Sequence, residues 1–288
     1  MSDKAQLSFY EKITLLLIIL RLRARFILEN ATPAQLQAIS IPSYDAYLKW
    51  AKGVNEEPVV DHLPDGAPLW PAEFPTQLKQ LISAIERLLS AGVHPSDLYL
   101  SGDSSGGNLI MQLISHILHP LNDVPKLSIT FLNGPTKFGG VILFSPYTAL
   151  TGQTGSHATN DAFDLVPASC LETWGKLYLD PIPEDHHLYV HANIAPERFF
   201  EGVDKIVQRF IITGGEKECL RDDIILFSDI LKKVHGDVTL IVEKDAIHAD
   251  PIFAFASKTE KLCLASLQVL EWISEETFHS SDRETTST

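Results

Sequence analysis

The chain has 288 residues, 45% of them hydrophobic and 21% charged, the make-up of an ordinary globular protein with enough length for a large buried core. Its formal net charge of -14, with no basic cluster interleaved with aromatics, argues against nucleic acid as a partner, because phosphates attract basic surfaces. Three scattered cysteines, Cys170, Cys219 and Cys263, exclude a disulfide framework or a cysteine zinc site and suit a reducing compartment.

Residues from about 8 to 52 read as helical segments. Within them Ile13 to Leu20 is strongly apolar, yet shorter than the roughly 20 residues a spanning helix needs. Arg21, Arg23 and Arg25 follow the run instead of preceding it, and no small-residue cleavage site is evident, so a signal peptide is not expected. Two readings stay open: a helix packing over a substrate cleft, or an interfacial helix making weak membrane contact through residues 13–28. The expected location is cytoplasmic, with membrane association under the second reading. Asn55 to Pro75 is rich in proline and predicts loop.

Thr76 to Leu89 places Leu78, Leu81, Ile82, Ile85, Leu88 and Leu89 on one helical face, and Gly92 predicts its end. Leu98-Tyr99-Leu100 then reads as a strand and residues 105–118 as a helix. Between them lies Gly102-Asp103-Ser104-Ser105-Gly106-Gly107. A strand, a sharp turn with serine at its apex and a helix make the context that a G-x-S-x-G nucleophile elbow requires. Gly102 and Gly106 are expected to let strand and helix approach, and Ser104 to sit exposed and strained. The backbone N–H of Ser105, with Gly106 the weaker candidate, would supply half of an oxyanion hole.

Gly140 to Ser145, Phe210 to Thr213 and Val238 to Val242 are short apolar runs that predict strands buried on both faces. Helical stretches at 105–118, about 221–235 and about 257–274 alternate with them. The alternation predicts an α/β fold with a mostly parallel central sheet flanked by helices. Residues 151–200 are polar and irregular and read partly as a lid or cap over the active-site face. Residues 276–288 are polar and predict a disordered tail.

A serine nucleophile needs a base oriented by a carboxylate, and in this kind of fold the order is Ser, then Asp or Glu, then His. Catalytic groups gather at the carboxyl ends of the strands. After the strand at 210–213 come Glu216, Glu218, Asp222 and Asp223. Asp222 and Asp223 open a helix, where acids serve as cap and first-turn partners of the dipole. Glu218, in the loop before it, is therefore the first candidate for the acid and Asp222 the alternative. His248 follows the strand at 238–242 and is the candidate base. His119, His157, His186, His187, His191 and His235 lack that placement and read as background.

These residues resemble the hormone-sensitive-lipase-like branch of the α/β hydrolases, a group of carboxylic ester hydrolases. Gly102 to Leu109 is similar to that branch's GDSAGGNL elbow, Glu218-Cys219-Leu220-Arg221-Asp222 to its D-P-L-R-D segment, and His248 to Phe253 to its histidine loop. The D-P-L-R-D match again points to Glu218 as the acid. Phe74 to Leu78 and the His-Ala-Asp-Pro-Ile-Phe stretch are similar to fungal esterases of secondary metabolism. The resemblance, over about residues 71 to 272, implies an α/β-hydrolase fold with a helical cap: N-terminal helices and cap over 1–54, and the hydrolase domain over 55–275. It implies a small-molecule ester substrate, cleavage through an acyl-enzyme, and no metal or organic cofactor.

The branch also carries an HGGG loop before the elbow, which donates the remaining oxyanion N–H groups, and this sequence contains no HGG. The chain passes from Leu63-Pro64-Asp65-Gly66 almost directly into Phe74-Pro75-Thr76, which predicts a sheet short of strands before Ser104. His62 and Gly66 make a poor substitute, since Pro64 and Pro68 remove N–H donors. A catalytically impaired relative that only binds a small ligand is the alternative to an esterase, and acyl transfer uses the same machinery.

Overall fold

The computed structural model describes residues 74–128, 136–152, 154–251 and 263–284, the backbone only from residue 275. The expected helices of 1–54, the apolar run 13–28 and the His62–Gly66 segment lie outside the described residues. So does the stretch on which the expectation of a short sheet depends.

Four strands, β1 (Tyr99–Asp103), β2 (Gly140–Phe144), β3 (Phe210–Gly215) and β4 (Val238–Glu243), form a parallel sheet in the order β1-β2-β3-β4. Between and around them run α1 (Thr76–Ser90), α2 (Ser105–Leu118), α3 (Gly155–Asn160), α4 (Ala168–Leu179), α5 (His187–Val190), α6 (Arg221–Lys232) and α7 (Leu264–Glu284). α1 buries Leu78, Ile82 and Ile85, the stripe its sequence spacing marks. It ends in a Schellman motif: Val93 N–H donates to Leu88 O (3.1 Å) and Gly92 N–H to Leu89 O (3.0 Å), with Gly92 at φ 92°.

Side chains alternate across a strand, so the apolar runs of β2 and β3 supply both faces of the sheet. Val141, Leu143, Phe210 and Ile212 join the main core with α1, α2, α4 and α6, while Ile142, Ile211 and Ile241 pack against Ala265, Val269 and Trp272 of α7. The expectation of full burial fails for β4, where Thr239 and Val242 are exposed. β4 is one of the two outer strands of the described sheet, and apolar composition alone does not distinguish an outer strand from a central one.

Residues 154–200 are less loose than their composition suggests. Leu171, Leu179, Val190, Phe199 and Phe200 are buried in the main core, and Asn108 Nδ2 donates to both Tyr147 O and Val190 O at 2.7 Å. A helix too short to persist alone is held here by packing, which local patterning does not reveal. At the other end α7 continues to Glu284, into the tail expected to be disordered from 276. Once Ala265, Val269 and Trp272 anchor the first turns, extending a helix costs little per residue.

At the elbow the missing Cβ of Gly102 and of Gly107 allows the close approach, whereas that of Gly106 is not needed. A Cβ on Gly102 would lie 2.5 Å from the Gly106 carbonyl carbon and 2.8 Å from Gly107 N; one on Gly107 would lie 2.9 Å from Pro146 Cβ. At Gly106 a Cβ would meet nothing within 4 Å. Gly102→Ala is therefore expected to lower stability by about 1–3 kcal/mol or more, because backbone must move. Gly106→Ala, inside a helix with open space beside it, should leave stability unchanged or raise it by up to about 1 kcal/mol. Denaturant midpoints at constant m value check both.

Candidate active site

Ser104 stands between β1 and α2 at φ 49° and ψ −116°, a conformation that a side chain rarely adopts. Three backbone hydrogen bonds hold it there. Its N–H donates to Phe144 O (2.9 Å), and its carbonyl accepts from Tyr147 N–H (3.0 Å) and Asn108 N–H (3.2 Å). The strain is thus sustained by the β2 exit on one side and the first turn of α2 on the other. Ser104 is half-buried and Ser105 exposed, so the turn is open to a ligand. The N–H groups of Ser105 and Gly106 belong to the first turn of α2, where no intrahelical acceptor exists and the helix dipole favours negative charge.

Glu218, in the loop between β3 and α6, is fully buried. Its Oε2 accepts from the Ser145 hydroxyl (2.6 Å) and from Gly215 N–H (2.8 Å). Among the described residues its Oε1 has no hydrogen-bond partner; it lies 3.9 Å from His248 Nδ1, which also has none. His248 follows β4 in a loop turned by positive φ at Asp245 (59°) and Ala249 (57°). Burial pushes the His248 imidazole down, but Glu218, Asp164 and Asp103 outweigh it and raise its pKa above the ordinary 6.5. Glu218 and His248 are thus brought together, separated by more than a hydrogen bond, in a site whose polar contacts commonly tighten only when ligand binds.

Asp222 is placed elsewhere. Its Oδ2 accepts from Ser156 N–H at the start of α3 (2.9 Å) and its Oδ1 from Arg221 Nε (2.8 Å). Asp223 is not a helix cap either: it is buried and its Oδ2 meets His157 Nε2 at 3.0 Å. Both acids do lie in the first turn of α6, but α3, absent from the sequence reading, packs beside that turn and supplies their partners. His157 consequently has a buried structural partner in Asp223. Four other background histidines have backbone or ring partners: His119 Nε2 with Phe199 O (2.7 Å), His187 Nε2 with Ile182 O (2.9 Å), His235 Nε2 with Val207 O (3.0 Å), and His186 edge-on to Phe74. Burial pushes His191 down to about 4.

Two residues at the site escaped the sequence reading. Ser145, at φ 44°, donates to Glu218 and accepts Ala249 N–H at 3.2 Å. Its place immediately after β2, at the carboxyl end of a strand, was a usable signal. Asp164 reaches the loops of both Glu218 and His248 from between α3 and α4. Nothing in the irregular sequence around it marked it.

A strained serine between a parallel strand and a helix, with an acid after β3 and a histidine after β4, is the arrangement a hydrolase-type site requires. The family comparison agrees: residues 67–251 match the alpha/beta hydrolase fold family, to which this chain belongs. An esterase of Acinetobacter venetianus strain RAG-1 is 30% identical over 153 residues, which cover 52% of this chain and 43% of that protein. Among solved structures, an esterase/lipase from an uncultured bacterium superposes with a TM-score of 0.55 at 24% identity, covering 70% of this chain and 61% of the other. An esterase from the bacterial hormone-sensitive lipase family gives 0.51 at 22% identity, covering 64% and 55%. These likenesses show the fold. The chain spans less than half the length of the A. venetianus esterase and somewhat over half of the two solved chains.

Proposed function

We propose that the chain is a serine carboxylic ester hydrolase of the hormone-sensitive-lipase type. The observation that carries this reading is the strained Ser104 at the head of α2, with His248 Nδ1 facing the unpartnered Glu218 Oε1 one loop away. Ser104 Oγ attacks the ester carbonyl while His248 Nε2 takes its proton. The oxyanion is received by the N–H groups of Ser105 and Gly106. His248 returns the proton to the departing alcohol, and water, deprotonated by the same imidazole, hydrolyses the acyl-enzyme. Glu218 holds the imidazole with Nδ1–H toward itself and stabilises the imidazolium. The similarity of Phe74 to Leu78 and of the His248 loop to fungal esterases supports a small-molecule ester of secondary metabolism as the substrate.

Turnover of a p-nitrophenyl ester, together with labelling of Ser104 by a fluorophosphonate, tests the reading. The base must be neutral to accept a proton, and the His248 pKa is raised. The acid limb of kcat/KM is therefore expected above pH 6.5, with activity rising as pH climbs through it. The absence of an HGG motif favours a second reading, an impaired ligand-binding relative. A folded protein inert to both probes would select that one.

A further inference from the structure

Glu218 and His248 do not hydrogen-bond one another, so their separation is set by whatever holds their two loops. One tie is Ser145, which joins the Glu218 carboxylate to Ala249 N–H. The other is Asp164, fully buried between α3 and α4. Its Oδ2 accepts Cys219 N–H (2.7 Å), next to Glu218 in the chain; its Oδ1 accepts His248 N–H (2.9 Å) and Leu165 N–H (2.7 Å). Burying a carboxylate is costly, and here three backbone donors offset the cost.

We infer that Asp164 is a positioning residue that clamps the loops of Glu218 and His248 at a working distance and presents a second carboxylate to the imidazole. This rests on the hydrolase reading above. Three carboxylates favour the charged form of His248: Glu218 from the loop after β3, Asp164 from the segment before α4, and Asp103 from the end of β1. Glu218 acts on the ring through Nδ1. Asp164 binds the backbone of the same residue, so it can place the ring without touching the reacting atoms.

The test compares wild type with Asp164→Asn by p-nitrophenyl ester kinetics against pH and by fluorophosphonate labelling. An asparagine amide must turn its NH2 toward the Cys219 N–H or toward the His248 and Leu165 pair, donor against donor, and so releases one loop. The expected result is a fall in kcat of roughly 10- to 100-fold with KM nearly unchanged. The acid limb should also move to lower pH, since a negative charge that favours the imidazolium is lost. Unchanged kcat, or a fall with an unmoved limb, overturns the inference. Should Asp164→Asn not fold, Asp164→Glu keeps charge and acceptors but adds a methylene that has to displace both loops. A fall in its kcat at unchanged KM supports the clamp, and full kcat overturns it. A wild type inert to both probes brings down the hydrolase reading and this inference together, whereas an active wild type matched by Asp164→Asn brings down only the inference.

Discussion

Ser104→Ala is expected to lower kcat on a p-nitrophenyl ester by about 10⁴-fold or more and to abolish fluorophosphonate labelling. Alanine leaves the carbonyl bonded by Tyr147 and Asn108 and the N–H bonded to Phe144 O, because those contacts are backbone. The turn and the oxyanion donors therefore persist while the nucleophilic oxygen is gone. Burial and packing of the rest are untouched, so the unfolding midpoint should move by well under the 1–3 kcal/mol expected for Gly102→Ala. Retention of full activity with a native midpoint would end the proposed mechanism.

Glu218→Gln is expected to cost about as much, near 10⁴-fold in kcat, by selecting the wrong imidazole tautomer. Oε2 accepts both the Ser145 hydroxyl and Gly215 N–H, so a glutamine must keep its carbonyl oxygen on that side. Its NH2 then replaces Oε1 and faces His248 Nδ1 as a donor. The imidazole answers by accepting at Nδ1 and carrying its proton on Nε2, where it cannot take the Ser104 proton. Asp222→Asn provides the contrast, since its carboxylate lies against Ser156 and Arg221. Comparing kcat of the two variants under one assay checks which acid serves the histidine. An Asp222→Asn loss equal to that of Glu218→Gln would reverse the assignment.

Much of the framework was legible in the chain. The stripe of α1, the Gly92 stop, the helix at 105–118 and the apolar runs of β2 and β3 follow from local periodicity and turn chemistry, which act between near neighbours. The exposure of β4 was not legible, because it depends on which strands are outermost. Nor were the short helices of 154–200, which are sustained by contacts with α2 and α6. Gly107 in place of Gly106 as the packing glycine depends on where Pro146 falls against α2.

At the site the division has the same cause. The serine turn and the order Ser104, Glu218, His248 could be read along the chain, because an elbow is local and strand ends can be counted. The chain already put Glu218 ahead of Asp222, whereas the Ser145 and Asp164 ties and the Asp223–His157 pair emerge only in the tertiary structure. Each joins residues from different crossovers of the sheet. Whether a buried carboxylate finds a histidine, a hydroxyl or a backbone donor is settled by which loops the sheet brings side by side, and no single segment of sequence encodes that.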